Sequence, residues 1–289
     1  MTPVSGVRVG CRVIIQPARY FSSFPSVKFE FSGSSRGLGA ALPCVVTAPW
    51  GTSQTATGML RALINPANVQ LVGTALPYFP RGGPLPAPPP PGVRTSSAWG
   101  GMEAGANMLY PSQVVDGLTH LHAGPALRAA LSLTKVDAHG HRCPTGCALL
   151  SSSFELRHFD LIAHTPTPYW PPPDDASQHD QWRKDIIACY LSSVLAVVEG
   201  APLGAVRSAS APPLPSSCAS TTPILIAAPL LGAGAKGAPV KAAAQCAAEA
   251  ASLLRALEVQ AQVTLRFVLH DDEALRELSA AFASMSVRI

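Results

Sequence analysis

The stretch that decides the fold of this chain is Thr222-Pro223-Ile224-Leu225-Ile226-Ala227-Ala228-Pro229-Leu230-Leu231-Gly232-Ala233-Gly234-Ala235-Lys236-Gly237-Ala238-Pro239. Its apolar residues 224–228 predict a buried strand, and the amphipathic run from Val240 to Leu257 predicts a helix. The glycines between them permit a tight turn. A strand, turn and helix start of this kind gather backbone N–H groups and the positive end of a helix dipole around one point, where an anion is stabilised. The stretch therefore predicts a phosphate-binding loop in an α/β fold.

A second signature, Leu63-Ile64-Asn65-Pro66-Ala67-Asn68, ends a short apolar run earlier in the chain. An Asn amide both donates and accepts hydrogen bonds, so Asn68 suits the hydroxyls of a ribose bound at a strand end. Asn is also favoured in ordinary turns, because its side chain hydrogen-bonds to nearby backbone. Both interpretations of Asn65 and Asn68, ligand contact and turn formation, are kept open.

The composition indicates a globular chain with a sizeable core. Of the 289 residues, 47% are hydrophobic and 13% are charged. The net charge of +4 is spread along the sequence without a run of Lys or Arg, so we do not expect nucleic acid as a ligand. No apolar run approaches the ~18 residues of a membrane helix, and we expect no membrane association.

Cysteine usage favours an intracellular, reducing compartment, cytoplasmic or nuclear. The seven cysteines are odd in number, and no secretory signal precedes them. Targeting to an organelle is the alternative, because residues 1–29 contain Arg8, Arg12, Arg19 and Lys28 but no acid. The strand-like pattern of residues 7–16 argues against a transit peptide.

Strand and helix patterns alternate from about Leu60 onward, which predicts an α/β sheet covered by helices on both faces. Helices are predicted around the apolar stripe of residues 186–198, over residues 240–257, and from Asp271 to Phe282. Strands are predicted at Val9–Ile15, Val27–Phe31, Cys44–Thr47, Leu60–Ile64, Cys147–Leu150, Leu161–His164, Ile224–Ala228 and Val263–His270.

We expect a single domain, in which residues 1–59 form a strand-rich N-terminal extension of the unit built by residues 60–289. Three proline-rich segments interrupt the pattern, near residues 77–98, 166–173 and 202–223. We expect each to be an exposed loop, because too few strands lie between them to form separate cores.

Four blocks of sequence between about Leu60 and Leu257 resemble the macrodomain family of ADP-ribose-binding modules. Each block alone is a weak signal, but four in the family's order are a strong one. The blocks are Leu63–Asn68, similar to V-N-A-A-N; Gly100-Gly101-Met102-Glu103-Ala104-Gly105-Ala106, similar to a first phosphate loop; Cys143–Ala148 with Asp160–Thr165, Tyr169 and Trp170, similar to a P-x-G-x-A turn and an I-H-x-x-x-P-x-W strand end; and Pro229–Pro239, similar to the second phosphate loop G-I-Y-G-x-P.

The resemblance implies a three-layer α/β/α fold with a mixed sheet, and a site for ADP-ribose or an ADP-ribosylated protein. We expect no cofactor and a monomeric chain. Ligand contacts are implied for Asn65 and Asn68 at the strand end and for both phosphate loops. The loop residues are Gly100, Gly101, Met102 and Gly105 in the first, and Gly232, Ala233, Gly234, Ala235, Lys236 and Gly237 in the second.

Family members that hydrolyse mono-ADP-ribose linkages or O-acetyl-ADP-ribose generally use an acid of the first loop near the distal ribose. The resemblance gives this role to Glu103, with Asn68 placing the ribose. Glu103 is one methylene longer than the usual Asp, and its alternative role is to favour a helix N-terminus electrostatically. A non-catalytic reader of ADP-ribosylated proteins, or a scaffold that no longer binds, is the second interpretation.

Some residues depart from the family's pattern or compete with it. Residues 45–50 lack the acid that contacts adenine, and Lys236 and Ala238 stand where an aromatic residue stacks on the distal ribose. Lys236 instead offers a point charge for a phosphate, or is a solvated surface charge. His164, at the end of a buried strand, is expected to be a hydrogen-bonded core histidine. We expect no zinc site at His139, His141, Cys143 and Cys147, whose spacing matches no familiar finger.

Overall fold

The computed structural model of the protein describes residues 12–17, 59–74, 79–82, 108–173, 175–199, 223–256, 263–269 and 271–286. Eight strands lie in these ranges: β1 (Arg12–Pro17), β2 (Leu60–Ala67), β3 (Phe79–Pro80), β4 (Met108–Leu109), β5 (Leu149–Ser152), β6 (Leu161–Pro166), β7 (Ile224–Ala228) and β8 (Val263–Leu269). The helices are α1 (Val115–Ala123), α2 (Pro125–Ser132), α3 (Ala176–Glu199), α4 (Val240–Ala256) and α5 (Asp272–Ser286).

The main sheet has six strands in the order β1-β8-β7-β2-β6-β5. Its neighbouring strands are parallel, except that β5 runs antiparallel to β6. A separate antiparallel pair joins β3 to β4. The mixed sheet that the macrodomain resemblance implies is therefore confirmed.

Helices cover both faces of the sheet and complete a three-layer α/β/α arrangement. Helices α3, α4 and α5 share one hydrophobic core with Ile64 and Ile226. Helices α1 and α2 share the other with Ala67 and Ile162. Because side chains alternate along a strand, β2 supplies residues to both cores. None of the helices in the described ranges is long and apolar enough to cross a membrane.

Most predicted elements from Leu60 onward appear with shifts of a few residues. Strand β7 has the predicted bounds, and the helix predicted over residues 240–257 ends at Ala256. The strand predicted at residues 9–15 is β1 at Arg12–Pro17, and it pairs with β8 at an edge of the sheet. The strands predicted at Val27–Phe31 and Cys44–Thr47 lie outside the described residues.

Helices α1 and α2 were not predicted, and α1 shows the reason. Six of its nine residues are buried, including the polar residues Asp116, Thr119 and His120. Its sequence therefore shows no apolar stripe against a polar face, which is the pattern that predicts a surface helix. Gly117 is a poor helix former in addition.

The parallel strands bring the two signature segments to one edge of the sheet. Asn65 in β2 is the register partner of His164 in β6, and β7 runs parallel to β2 on its other side. The chain leaves β2 after Ala67 and β7 after Ala228, both at the carboxyl edge. In open α/β sheets, ligands bind outside this edge.

A buried tyrosine fixes where β7 passes into the following loop. The hydroxyl of Tyr190 in α3 donates to the carbonyl of Pro229 at 3.0 Å and accepts from the Leu231 N–H at 2.8 Å. Tyr190 is fully buried, and its ring packs edge-on against Phe267 of β8. The start of the loop is thereby anchored to the helix layer.

Candidate ligand-binding site

The loop of residues 229–239 joins β7 to α4 in a tightly turned conformation. Gly232 and Gly237 have φ values of +86° and +78°, which residues with a Cβ rarely adopt. Two backbone hydrogen bonds close the turns, from Gly237 N–H to the Gly234 carbonyl at 3.0 Å and from Ala238 N–H to the Gly232 carbonyl at 3.0 Å. The predicted strand, glycine turn and helix start are all present.

Neighbouring segments hold the carbonyl groups of this loop. The Arg81 guanidinium donates to the Ala233 carbonyl at 2.7 Å, the Gly82 N–H to the Ala235 carbonyl at 3.0 Å, and the Trp170 N–H to the Lys236 carbonyl at 2.9 Å. Within the described ranges, the backbone N–H groups of residues 234–236 donate to no acceptor. Among the described residues, three consecutive donors of the loop before α4 are thus unpaired, which is an arrangement that stabilises an anion.

The segment Phe79–Gly82 packs directly on the loop. Phe79 is only 8% exposed, and a Cβ added to Gly237 would overlap the backbone of Gly82. The proline-rich stretch around residues 77–98 was expected to be an exposed loop, but these four residues form a clamp on the loop of residues 229–239. Composition misses this because the contact joins residues far apart in sequence.

A buried carboxylate lies at the same edge of the sheet, at the start of α1. Asp116 is 7% exposed and accepts a hydrogen bond from the Asn65 side-chain amide at 2.9 Å. The Thr74 hydroxyl donates to its other oxygen at 3.4 Å. Burial raises the pKa of Asp116 to about 6, an increase that these two hydrogen bonds and the positive charges of Lys236 and Arg128 limit. Asp116 is therefore mostly ionised at neutral pH but titrates close to it.

Lys236 belongs to the glycine loop and interacts with this carboxylate through its charge. Its ammonium group lies 3.7 Å from the centroid of the Tyr169 ring, at a distance where a cation–π interaction is favourable. Burial lowers the pKa of Lys236 to about 8, and the charge of Asp116 opposes part of that shift. Tyr169 thus supplies an aromatic ring beside the position where the sequence lacks one. Lys236 is partly buried against this ring rather than freely solvated.

Two neutral histidines complete the polar cluster around Asp116. His164 is fully buried between the Asn65 amide at 3.2 Å and the Ser151 hydroxyl at 2.9 Å, as expected for a hydrogen-bonded core histidine. Burial lowers the pKa of His164 to about 3. His120 Nε2 lies 3.6 Å from an Asp116 oxygen, and burial lowers its pKa to about 4. At neutral pH both imidazoles are uncharged.

The residues predicted for the site are only partly brought together. Asn65 lies in the cluster, but the Asn68 amide is engaged in the turn that follows β2. Its oxygen accepts from the Gln70 N–H at 3.1 Å, and its nitrogen donates to the Gly73 carbonyl at 2.9 Å. These are the turn contacts that were kept as the alternative. Lying outside the described residues are Gly100, Gly101, Met102, Glu103 and Gly105, together with residues 45–50.

Sequence reasoning missed Asp116, the acid that the structure places next to Asn65. A usable signal was present, because an acid in the first turn of a helix is favoured by the helix dipole. Gly117 follows it, and a Cβ at that position would overlap the Pro111 carbonyl. Because the turn before α1 passes so close to residue 117, that position requires glycine.

A small apolar cavity flanks α1 on the side facing β7 and β8. It shares Val115 with the start of α1 and Pro229 with the start of the glycine loop. Leu63, Ala227 and Val268 contribute its floor from the sheet. The cavity thus adjoins both polar parts of the site and offers a surface suited to a flat, weakly polar group.

The residues weighed as a zinc site take other roles. Cys143 is buried, with its thiol facing the Pro144 and His164 carbonyls. The backbone N–H groups of His139 and His141 donate to an oxygen of Asp137 in an exposed turn. In the part of the chain that the structure describes, no three His, Cys, Asp or Glu side chains are grouped to hold a metal ion.

Substitutions of two glycines in the loop should differ in their effect on the free energy of unfolding. We expect Gly237→Ala to destabilise the protein by about 1 kcal/mol or more, because of its positive φ and the overlap with Gly82. Gly234→Ala should change stability far less, since a Cβ there meets no atom within 4 Å. Urea denaturation of both variants measures the difference. Equal losses of stability would contradict the clamp by residues 79–82.

Burial of the ionised Asp116 carboxylate should lower the free energy of unfolding at neutral pH. Its pKa rises from 3.8 to about 6 on folding, so its contribution to stability is greatest below pH 4 and is lost as the pH rises to about 6. We expect Asp116→Asn to be more stable than the wild type at pH 7 by on the order of 2 kcal/mol, with little gain at pH 4.

Unfolding free energies from pH 4 to 7 measure this effect, with Asp137→Asn as control. Hydrogen bonds from the His141 and His139 backbone hold the pKa of Asp137 below its ordinary value, so its substitution should be unfavourable at pH 7. A stability difference between Asp116→Asn and the wild type that does not vary with pH would refute the burial of an ionised Asp116.

Several solved macrodomain structures are similar to this chain. Among solved structures, a macrodomain of Oceanobacillus iheyensis with ADP is 20% identical, with a TM-score of 0.49, over 80% of this chain and 86% of that one. A Trypanosoma brucei macrodomain in complex with ADP is 17% identical, with a TM-score of 0.44, over 77% and 67%. The macro domain of ganglioside induced differentiation associated protein 2 is 16% identical, with a TM-score of 0.43, over 76% of each chain.

A search of the curated proteins found no match. The sequence model of the Macro domain family matches residues 104–247, about half of the chain, including α1, the polar cluster's Asp116 and the glycine loop. With the fold described above, this match identifies the family, and the chain belongs to the macrodomain family.

Proposed function

We propose that this macrodomain binds ADP-ribose at the carboxyl edge of its sheet. The observation that carries the proposal is the set of three consecutive N–H donors at residues 234–236, on the loop that carries Lys236 beside the Asp116 and Asn65 cluster. A diphosphate needs several donors and a positive field, and the loop at the start of α4 supplies both. The Oceanobacillus iheyensis and Trypanosoma brucei macrodomains named above are complexes with ADP.

The surroundings of the loop suit the remaining parts of the ligand. The apolar cavity adjoins the loop at Pro229, and its walls favour an adenine ring over a charged group. The distal ribose is then directed toward Asp116 and the Tyr169 ring beside Lys236. Lys236 adds one positive charge near the bound phosphates.

Hydrolysis at the distal ribose is proposed to use Asp116 as the base. A general base works best with a pKa near the operating pH, and burial brings the pKa of Asp116 to about 6. The Asn65 and Thr74 hydrogen bonds hold the carboxylate in one orientation. Glu103, which the family resemblance favours, is the competing candidate, so variants of both residues decide between them.

One observation favours binding without turnover as the alternative function. Asp116 is nearly fully buried and already accepts hydrogen bonds at both oxygens, so a water has limited access to it. A protein that reads ADP-ribosylated partners needs the phosphate loop and the cavity but no activated water.

Calorimetric titration of the purified protein with ADP-ribose tests the binding proposal. We expect saturable binding, with AMP binding more weakly because it has one phosphate and no distal ribose. Gly234→Val should weaken ADP-ribose binding by about tenfold or more, since the added side chain would stand beside the N–H donors and obstruct a phosphate. Its unfolding free energy should stay near that of the wild type. Unchanged affinity in a folded Gly234→Val variant would remove the loop from the site.

Product formation from a mono-ADP-ribosylated protein and from O-acetyl-ADP-ribose tests turnover. If Asp116 is the base, Asp116→Asn should reduce the rate by about a hundredfold or more while binding is retained. Glu103→Gln should then leave the rate within about threefold of the wild type. The reverse pattern would give the role to Glu103. Binding without any product would support the reader function.

A further inference from the structure

Four buried side chains form a continuous hydrogen-bonded chain that ends at Asp116. Ser151 Oγ lies 2.9 Å from His164 Nε2, His164 Nδ1 lies 3.2 Å from Asn65 Nδ2, and Asn65 Nδ2 lies 2.9 Å from Asp116 Oδ1. Ser151, His164 and Asn65 are each 2% exposed or less. The chain crosses three strands, from β5 through β6 to β2, before it reaches α1.

The chemistry of the two ends fixes the direction of every hydrogen bond. The Ser151 hydroxyl donates to the Ser152 carbonyl at 3.0 Å, so its oxygen is free to accept from His164 Nε2–H. A neutral imidazole with a proton on Nε2 has a lone pair on Nδ1, which accepts from the Asn65 amide nitrogen. The second N–H of that amide donates to Asp116.

Nothing else in the described surroundings sets the orientation of the Asn65 amide. Its oxygen is buried and has no hydrogen-bond partner there. A flipped amide would turn that oxygen toward both the Asp116 carboxylate and the His164 lone pair, which are acceptors. The orientation of Asn65 therefore depends both on the Asp116 carboxylate and on which nitrogen of His164 carries the proton.

We propose that His164 is a positioning residue, whose Nε2–H tautomer, held by Ser151, turns the Asn65 amide so that it donates to Asp116. This inference rests on the proposed function for its consequence in catalysis, but the chain itself exists without ligand. His164 touches neither Asp116 nor the glycine loop in a hydrogen bond, and it acts through Asn65. The tautomer thus controls whether the Asp116 carboxylate is directed and stabilised.

Loss of the Asn65 hydrogen bond should change the titration of Asp116. The groups that face its carboxylate are Asn65 of β2, Thr74 of the turn after β2, and His120 of α1, with Lys236 and Arg128 acting through their charges. The Asn65 hydrogen bond is the largest of the influences that lower the pKa of Asp116. Without it, we expect the titration midpoint to rise by about one pH unit.

Long-range ¹H–¹⁵N spectra of the ligand-free protein at pH 7 test the proposal directly. They report which ring nitrogen of each histidine is protonated, and we expect the Nε2–H tautomer for His164. A wild-type His164 protonated at Nδ1, or at both nitrogens, would overturn the proposal. This measurement needs no variant, no ligand and no activity.

Ser151→Ala then tests whether Ser151 holds the tautomer. We expect a loss of the single Nε2–H form of His164 and a higher Asp116 midpoint, measured from its carboxyl ¹³C shift and assigned with Asp116→Asn. Ser151→Thr keeps a hydroxyl and should restore both readouts. Ser152→Ala is the matched control on the same strand, because the Ser152 hydroxyl has no hydrogen-bond partner among the described residues. An unchanged tautomer and midpoint in a folded Ser151→Ala would overturn the proposal.

The activity readout separates this inference from the proposed function. With turnover present, the acid limb of the pH–rate profile should move to higher pH in Ser151→Ala, by the same amount as the Asp116 midpoint. A protein with the Nε2–H tautomer but no ADP-ribose binding would refute the proposed function and leave the positioning chain intact. ADP-ribose binding together with a His164 tautomer that is unchanged in Ser151→Ala would support the proposed function and refute the positioning chain.

Discussion

The hydrogen bond from the Asn65 amide to the buried carboxylate of Asp116 is the interaction on which the rest of the site depends. It joins the central strand β2 to the start of α1, and the two residues lie in different layers of the fold. A carboxylate in such a position is costly unless donors compensate it. Asn65, Thr74 and the nearby charges compensate only in part, so the pKa of Asp116 stays raised to about 6. The site therefore keeps a carboxylate near its titration point at the expense of stability.

The glycine loop depends on a different kind of support, which comes from outside the loop. Segments at Arg81–Gly82 and at Trp170 take up its carbonyls, and Tyr190 fixes its start. The carbonyls are engaged, whereas the N–H groups of residues 234–236 have no acceptor among the described residues. Pre-organised donors bind an anion without first paying to order the loop. The clamp by residues 79–82 thus supports the part of the site proposed for the diphosphate, and the carboxylate on α1 lies in the part proposed for the distal ribose.

Local patterns in the sequence predicted the individual strands and the glycine loop, because each of these segments is short and continuous in the chain. The apolar run of β7, the glycines after it and the helical period of α4 each predict their element from the residues of that element alone. Asp116 was missed for two physical reasons. Its partner Asn65 lies 51 residues earlier, and the buried polar residues of α1 hide the helical stripe. The role of Asn68 likewise depended on whether its amide bonds to the turn, which only coordinates reveal.

The backbone amide signals of residues 234–236, followed by ¹H–¹⁵N correlation spectra during titration with ADP-ribose, test the central claim most directly. We expect these three amides to show the largest shifts, which saturate together, with smaller changes at Asp116 and at the cavity residues Val115 and Ala228. Free amides that become hydrogen-bonded to phosphate oxygens should move downfield. Saturable binding that leaves the signals of residues 234–236 in place would contradict the assignment of the phosphate site to this loop.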